Sequence, residues 1–372
     1  MVKCGTEKNK VSQNYSNKIA NGGVIAAAMV VGIHCSDSLD VGSVLWWWDR
    51  LVTEGLFMVA VPFFFVCSGY FLCRHYESGN YLVTWHGELR KRFKSLLVPY
   101  LIWSLIGVCV INLLPVAIAT NIAHGQPLMR NIPVGHEFWL TVFGLNPYSY
   151  PLVYQLWYVR ALLLFTVLSP VLHVLVKRWG VAACFVFYLL WAVWGTGKFG
   201  GYCAHPFFFY CFSLSGLFFF SVGCLLACKN VRIARIGAVM QRWPVVISLS
   251  GCCLLVLSAY LWQQTGSEIV HLKLLVAPLL LVAFWRAIPS AHWPEWLVKS
   301  AFPVYLIHVI LWYGIVRCCS LVHQTQPTFW MHVDTIAEWW IKWIIGFGGS
   351  LAITLVLRKI MPRWASVLFG GR

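Results

Sequence analysis

A histidine at the end of an apolar segment is the first residue in this sequence whose type and position suit chemistry. Between Ile19 and Cys35 the only strongly polar side chains are Asn21 and His34, and about 20 apolar residues suffice to cross a bilayer. We therefore expect His34 near one end of a membrane helix. Asp37 follows three residues later, on the same face if the helix continues that far. A carboxylate beside an imidazole fixes its tautomer and makes it a better base, so the pair indicates acid–base chemistry.

Three other apolar segments carry polar residues that suit either a functional site or packing. Arg160, in QLWYVRALLLF, lies within a predicted membrane helix, where a buried charge is costly and so marks a candidate functional site. The alternatives are that its side chain snorkels to the membrane surface or forms a structural ion pair. His308, in SAFPVYLIHVILWY, has Tyr305 on the same helical face, and the alternative is a core histidine bonded to a neighbouring helix. Ser68, followed by Gly69, suits a polar substrate contact or close helix packing.

A cluster of basic residues, Arg90-Lys91-Arg92-Phe93-Lys94, precedes the third apolar run. Basic side chains at a membrane face bind anionic lipid head groups, which is one interpretation of the cluster. The other interpretation is that Arg90, Arg92 and Lys94 hold the phosphates of a cytoplasmic nucleotide-bearing donor, because the Arg fork matches phosphate geometry. The residues alone leave both interpretations open.

The composition is that of a membrane protein. Of the 372 residues, 60% are hydrophobic and only 11% are charged, and the mean hydropathy is +0.73. The net charge of +16 does not indicate nucleic-acid binding here, because the basic residues cluster between apolar runs. No small-residue cleavage site follows the first apolar run, which predicts an uncleaved first helix. The fourteen cysteines lack zinc-type spacing and are expected to pack as small hydrophobes, without a bound metal.

The apolar runs predict an all-α, polytopic integral membrane protein with about ten transmembrane helices in a single domain, 1–372. The predicted spans are approximately 18–36, 54–73, 95–118, 152–176, 180–197, 206–228, 243–263, 268–288, 299–317 and 338–358. When ten spans alternate the loops between two sides, most of the 28 Lys and Arg residues fall on the side of the termini. The positive-inside rule then predicts that both termini are cytoplasmic and that His34 lies at the outer end of the first helix.

Five motifs together resemble the membrane-bound acyltransferases of the acyltransferase 3 family, which modify bacterial surface polysaccharides and peptidoglycan. The motifs occur in family order and cover nearly the whole chain: VVGIH at 30–34, VPFFFVCSGYFL at 61–72, RKRFKSLLVPYLIW at 90–103, QLWYVRALL at 155–163 and YLIHV at 305–309. The resemblance implies a ten-helix fold that uses cytoplasmic acyl-CoA, often acetyl-CoA, to acylate a hydroxyl on the outer side. In this family the histidine matching His34 acts in acyl transfer. The family usually has Arg or Lys eleven residues earlier, at the position of Gly23 in this sequence.

The resemblance and the residues together predict a multi-pass O-acyltransferase of the bacterial cytoplasmic membrane. His34, oriented by Asp37, would be the catalytic base, and Arg160 would stabilise charge. Arg90, Arg92 and Lys94 would bind the acyl-CoA phosphates, with no permanently bound cofactor. Ser68, Tyr305 and His308 would be polar residues that contact substrate or support the structure. The expected partners are the lipid bilayer, acyl-CoA and an envelope glycan or lipid-linked sugar, with no nucleic acid.

A second hypothesis is a transporter of serine or another small polar solute, or a translocator of acyl groups without its own transferase chemistry. The sequence also resembles the membrane domain fused to serine racemases in glycopeptide resistance, for which the resemblance implies a role in serine transport. This hypothesis accounts for Gly23 because a transporter does not need the intramembrane base.

Overall fold

The computed structural model describes residues 2–35, 41–76, 81–112, 135–146, 150–195, 212–228, 244–265, 270–323 and 335–371. Every regular element within these ranges is a helix, which confirms the predicted all-α class. In chain order the α-helices are α1 (Val2–Ile33), α2 (Val44–Trp48), α3 (Ala60–Tyr76), α4 (Tyr81–Arg92), α5 (Val98–Asn112), α6 (His136–Val142), α7 (Trp157–Trp179), α8 (Val181–Leu190), α9 (Leu214–Cys228), α10 (Pro244–Thr265), α11 (Val270–Ala287), α12 (Glu295–Val298), α13 (Ala301–His323), α14 (Ile336–Ile344), α15 (Ser350–Ile360) and α16 (Pro362–Leu368).

Several of these helices are joined end to end into longer apolar rods by short π-helical or 3₁₀ segments. Within the described ranges, six rods are long and apolar enough to cross a membrane: Gln13–Ile33, Val44–Tyr76, Tyr81–Val110, Tyr154–Trp179, Val245–Thr265 and Ile336–Ile360. Four shorter helices are also apolar: Val181–Trp194, Leu214–Cys228, Leu274–Ala287 and Ala301–Ile315. Each of the ten predicted spans overlaps one of these segments. The helical membrane class is therefore confirmed, whereas the crossing of all ten spans and the cytoplasmic termini stay predictions.

Large apolar side chains cover much of the outside of the helix bundle. On α8, for example, Val181, Phe185 and Val186 are each more than half exposed. A continuous apolar exterior of this kind suits lipid contact, because hydrocarbon solvates these side chains without cost.

Glycines allow α3 and α9 to pack with their backbones in close approach. A Cβ atom on Gly69 would overlap the carbonyl oxygen of Phe220, and Gly223 is equally close to the backbone of α3. Gly69, the small residue beside Ser68, therefore serves close helix packing, which is one of the two interpretations offered for this segment of the sequence. The same approach brings the Cα atoms of Cys73 and Cys224 to 5.1 Å, and a disulfide joins them. For these two residues the expectation that cysteines act only as small hydrophobes was wrong.

A polar side chain anchors α1 within the bundle. Asn21 is 1% exposed, and its Nδ2 group donates hydrogen bonds to the carbonyl oxygens of Pro289 and Ala291 at 2.9 and 2.7 Å. These bonds connect α1 to the segment between α11 and α12. Further along α1, the indole of Trp343 on α14 donates to the carbonyl oxygen of Ala28 at 2.8 Å. Contacts of this kind fix the axial position of α1 and hence the position of its last residues.

A compact apolar cluster surrounds the end of α1 and the middle of α13. Its buried members are Val31, Cys35, Leu45, Val304, Val309, Trp312, Tyr313 and Trp339. Because these side chains come from α1, α2, α13 and α14, the cluster holds the end of α1 against α13. His34 and His308, the two histidines identified in the sequence, lie on the facing sides of these two helices.

Candidate functional site

The imidazoles of His34 and His308 form a stacked pair. Their ring centroids are 5.5 Å apart and the ring planes differ by 19°. His34 is the first residue beyond α1, which ends at Ile33, and it is half-buried, whereas His308 is fully buried in α13. Two imidazoles at this distance can share or pass protons to a group held between or beside them.

The hydrogen bond made by His308 defines which ring nitrogen is available. His308 Nδ1 lies 3.1 Å from the carbonyl oxygen of Val304, and since a carbonyl only accepts, Nδ1 carries the hydrogen of this bond. The Nε2 atom then holds a lone pair in the neutral ring. Within the described part of the chain, Nε2 is buried and has no hydrogen-bond partner. His308 is therefore oriented by its own helix, and the lone pair of its second nitrogen is left without a donor in the described part of the chain.

Residues at the start of α7 close around the histidine pair. The ring of Tyr154 meets His34 edge-on with a centroid distance of 5.0 Å. The hydroxyl of Tyr305 donates to the carbonyl oxygen of Gln155, and its ring centroid is 6.3 Å from that of His308. The predicted placement of Tyr305 beside His308 is consistent with this geometry. Tyr154 carried no recognisable signal in the sequence, because an aromatic residue at a span end is ordinary in membrane proteins.

Arg160 is buried near the start of α7 and bonds to a turn of the chain. Its side chain is 7% exposed, and Nη1 donates to the carbonyl oxygen of Gly144 at 2.6 Å. Gly144 has a positive φ of 59°, and an added Cβ would lie 2.5 Å from the hydroxyl of Tyr100 and 3.0 Å from Nη1 of Arg160. The turn after α6 therefore needs glycine both for its backbone conformation and for space.

A cavity of about 470 Å³ reaches Tyr305, whose ring centroid is 6.3 Å from that of His308. One end is bordered by Tyr305, three residues before His308, and the other end by Arg92 and Lys299. We call it the large cavity; its remaining lining residues are Ile19, Ala20, Gly23, Phe63, Phe64, Cys67, Ser68, Phe71, Leu96, Tyr158, Leu162, Val298, Ala301 and Phe302. The hydroxyl of Ser68 is 3.4 Å from that of Tyr158, so the two hydroxyls form one polar patch in a mostly apolar wall.

Gly23 leaves the large cavity open on the side of α1. An added Cβ at this position would meet no atom within 4 Å. The neighbouring Gly22 differs, because its Cβ would lie 2.6 Å from the ring of Phe63. The structure therefore has room for a long side chain at position 23.

The basic cluster at the end of α4 is divided between the cavity and the surface. Arg92 lies 3.6 Å from the buried carboxylate of Glu88, which also contacts His75 and Lys91. Arg90 and Lys94 are exposed on the surface of this segment. Of the three residues predicted to bind phosphate, Arg92 is the one that lines the large cavity.

Lys299, at the same end of the cavity, pairs with Glu295 on α12. The Nζ–Oε2 distance is 2.7 Å, and both side chains are exposed. The hydrogen bond from Lys299, followed by its charge, lowers the pKa of the Glu295 carboxyl. Lys299 did not stand out in the sequence because it lies among ordinary basic loop residues.

Two buried charges lie near the end of α1. Lys342 is 5% exposed, and its Nζ lies 5.7 Å from the ring centroid of Trp312, whose indole meets His308 edge-on. Asp49 is 2% exposed, and its charge and that of Lys342 both act on the thiol of Cys35. One buried charge of each sign therefore lies close to Cys35, the residue that follows His34.

The partner predicted for His34 falls outside the described residues. Asp37 lies in the gap between 35 and 41, so the structure does not test its role. The helical spacing used to pair the two residues does not apply, because α1 ends at Ile33 and His34 and Cys35 form a turn.

The described part of the chain is thus an apolar helical bundle typical of a membrane protein, and its candidate site is a pair of stacked imidazoles beside a residue that lines the large cavity. A family model described as "Acyltransferase domain" matches residues 24–359, which is most of the chain. The protein belongs to this acyltransferase family, and the membership indicates an acyltransferase. The predicted family assignment is confirmed.

One characterised relative matches a shorter part of the chain. It is described as serine/alanine racemase, from Enterococcus gallinarum, and is 33% identical over 158 residues. The match covers 42% of this chain and 20% of the relative, so the chain spans about a fifth of that protein's length. No solved structure matches the chain.

Proposed function

We propose that this protein transfers an acyl group from acyl-CoA to a hydroxyl of an envelope glycan or lipid-linked sugar. The observation that supports the proposal is the stacked His34–His308 pair, which lies beside Tyr305, a residue that lines the large cavity together with Arg92 and Lys299. The family supports acyl transfer as the reaction class. The family resemblance supports placement in the bacterial cytoplasmic membrane, and the distribution of Lys and Arg supports an orientation with both termini inside.

The large cavity suits the extended arm of acyl-CoA. Arg92 and Lys299 would bind phosphate groups at the entrance, because both are cations at the more basic end of the bundle. From Ala301 at the entrance to His308 the α13 helix rises about 10 Å, at 1.5 Å per residue. A pantetheine arm lying along this path would bring its thioester close to the histidine pair. Acetyl-CoA is the donor that we expect, and the mostly apolar wall would exclude water from the thioester.

The reaction would proceed by base-assisted attack on the thioester. His34, or Nε2 of His308, takes the proton from the acceptor hydroxyl as its oxygen forms a bond to the carbonyl carbon. The C–S bond then breaks, and the CoA sulfur leaves as thiolate and takes up a proton from the imidazolium. The single hydroxyl hydrogen of Tyr305 is used by the carbonyl of Gln155, so Tyr305 would stabilise the oxyanion only after that bond is released. The buried guanidinium of Arg160 would contribute positive charge to this stabilisation.

Release of CoA tests the proposal directly. Purified protein is mixed with acetyl-CoA and soluble acceptor sugars, and free thiol is measured. His34→Ala and His308→Ala should each lower the rate roughly 100-fold or more, the usual effect of removing a general base. His86→Ala, at an exposed histidine on α4, is the matched control and should keep the wild-type rate. Equal rates in all variants would contradict the assigned roles.

A second candidate function is transport of serine or another small polar solute. The partial likeness to a serine/alanine racemase is the observation that favours it. Uptake of labelled serine into vesicles separates the two candidates, because a transferase does not require it. Uptake that persists in His34→Ala, with no CoA released by the wild type, would favour the transporter and contradict the transferase.

A further inference from the structure

A second cavity, of about 180 Å³, is lined by side chains that the acyl-transfer reaction does not use. We call it the small cavity. It lies at the same end of the bundle as the histidine pair, because Trp157, which lines it, follows Tyr154 by one helical turn, and Tyr154 contacts His34. Its walls come from the π-helical segment Asp49–Leu56 and from α3, α9, α10 and α11. π-Helical segments often occur at functional sites, because they displace side chains from regular helical positions.

An ion pair lies in the wall of the small cavity. Arg50 donates from Nη1 to Oε2 of Glu54, and the side chains are 14% and 32% exposed. The guanidinium lies 3.9 Å from the ring centroid of Trp262 and 5.7 Å from that of Trp46. Within the described residues, Arg50 Nε is buried and has no hydrogen-bond partner. The site thus offers Nε of Arg50 as a donor and the carboxylate of Glu54 as an acceptor, and the charges of the two side chains cancel.

The rest of the wall combines flat aromatic surfaces with small polar groups. Three indoles line the cavity, those of Trp157, Trp191 and Trp262, together with the hydroxyl residues Ser215 and Ser258. Indole faces pack against the weakly polar C–H surface of a ligand. The hydroxyl groups at the edge of such a ligand can form hydrogen bonds with a guanidinium, a carboxylate or a serine hydroxyl. A ligand with net charge would be repelled by Glu54 or by Arg50, and the volume admits only a small ring.

We propose that the small cavity binds one sugar ring. The inference rests on the proposed function, because it gives the acceptor glycan a second contact, separate from the hydroxyl that reacts at the histidine pair. Arg50 and Glu54 would bond to ring hydroxyls, and Trp262 would lie against the ring or beside it. This contact would position a neighbouring residue of the glycan and so set which acceptors bind.

Saturation-transfer NMR on the full-length protein in lipid nanodiscs tests the proposal, with methyl glycosides of glucose, galactose and N-acetylglucosamine as probes. At least one glycoside should bind. Glu54→Gln should weaken binding roughly tenfold or more, the usual effect of losing a hydrogen bond to a charged group. Ala259→Leu, which fills the cavity without altering any charge, should weaken it similarly. Val256→Leu, at an exposed position on the same helix, is the matched control and should have no effect.

Three results would overturn the inference: no glycoside binds, binding is unchanged in both Glu54→Gln and Ala259→Leu, or serine and alanine bind in the glycosides' place and depend on Glu54. The last result would identify a site for zwitterions. Because the NMR measurement uses no acyl-CoA, it fails independently of the proposed transferase. CoA release by the wild type without glycoside binding would refute only the sugar contact, and glycoside binding without CoA release would refute only the transferase.

Discussion

Substitution of Gly23 by Lys should strengthen binding of acyl-CoA. The position lines the large cavity together with Arg92 and Lys299, and no atom lies within 4 Å of an added Cβ. Two unit charges about 8 Å apart interact by about 2 kcal/mol at an effective dielectric constant of about 20. Desolvation of the new ammonium group offsets part of this energy. We therefore expect a three- to tenfold lower KM for acyl-CoA, on the order of 1 kcal/mol, in the CoA-release assay.

Neutral and neighbouring substitutions separate the effect of charge from that of the helix. Gly23→Gln adds a side chain of similar length without charge and should leave KM close to the wild-type value. Gly23→Ala should stabilise α1 by about 1 kcal/mol, because glycine is a poor helix former. Gly22→Ala should instead destabilise the protein by about 1–2 kcal/mol, because its Cβ would lie 2.6 Å from Phe63. Equal KM values for the Lys and Gln variants, or equal thermal shifts for the two alanine variants, would refute this reasoning.

Three further predictions follow from other positions. Gly144→Ala should lower the thermal unfolding temperature more than Gly135→Ala. Both glycines have a positive φ, but only the Cβ at position 144 would be crowded, 2.5 Å from the hydroxyl of Tyr100. Equal decreases in the two variants would contradict this reasoning. Glu295→Gln should lower the KM for acyl-CoA, because Lys299 loses its ion-pair partner. The KM of the wild type should also fall as the pH drops through the lowered pKa of the Glu295 carboxyl, because protonation ends the pairing. An unchanged KM in the variant would show that Glu295 does not compete with acyl-CoA for Lys299. Gly69→Ala should cost about 3 kcal/mol or more, measured by thermal unfolding, because α3 and α9 must separate; a shift near zero would contradict their close packing.

The helical class and the approximate positions of the apolar helices could be predicted from the sequence. Long apolar runs indicate membrane helices because lipid forces each segment to satisfy its own backbone hydrogen bonds. The individual candidates His34, Arg160 and His308 were also recognisable, since a polar side chain within such a run is costly. These are local properties, and a single sequence is sufficient to detect them.

The assembly of the site could not be predicted, because it depends on which helices are neighbours. His34 and His308 lie near opposite ends of the chain, and nothing in either segment specifies the 5.5 Å distance between their rings. The hydrogen bond from Arg160 to Gly144 likewise depends on the fold. So does the fact that Lys299 and Arg92 line the same cavity. The division of the basic cluster, with Arg92 in the cavity and Arg90 and Lys94 outside, follows from how α4 turns against α7.

The position of the histidine pair on α1 and α13 has a consequence for biosynthesis. His34 is synthesised before most of the described helices, and its partner His308 is synthesised only after most of them. Until α13 packs against α1, the polar imidazole of His34 lacks its stacked neighbour and the cavity lacks the wall that carries Tyr305. The histidine pair therefore forms late, and a chain whose translation stops before α13 holds one of the two histidines without its stacked partner.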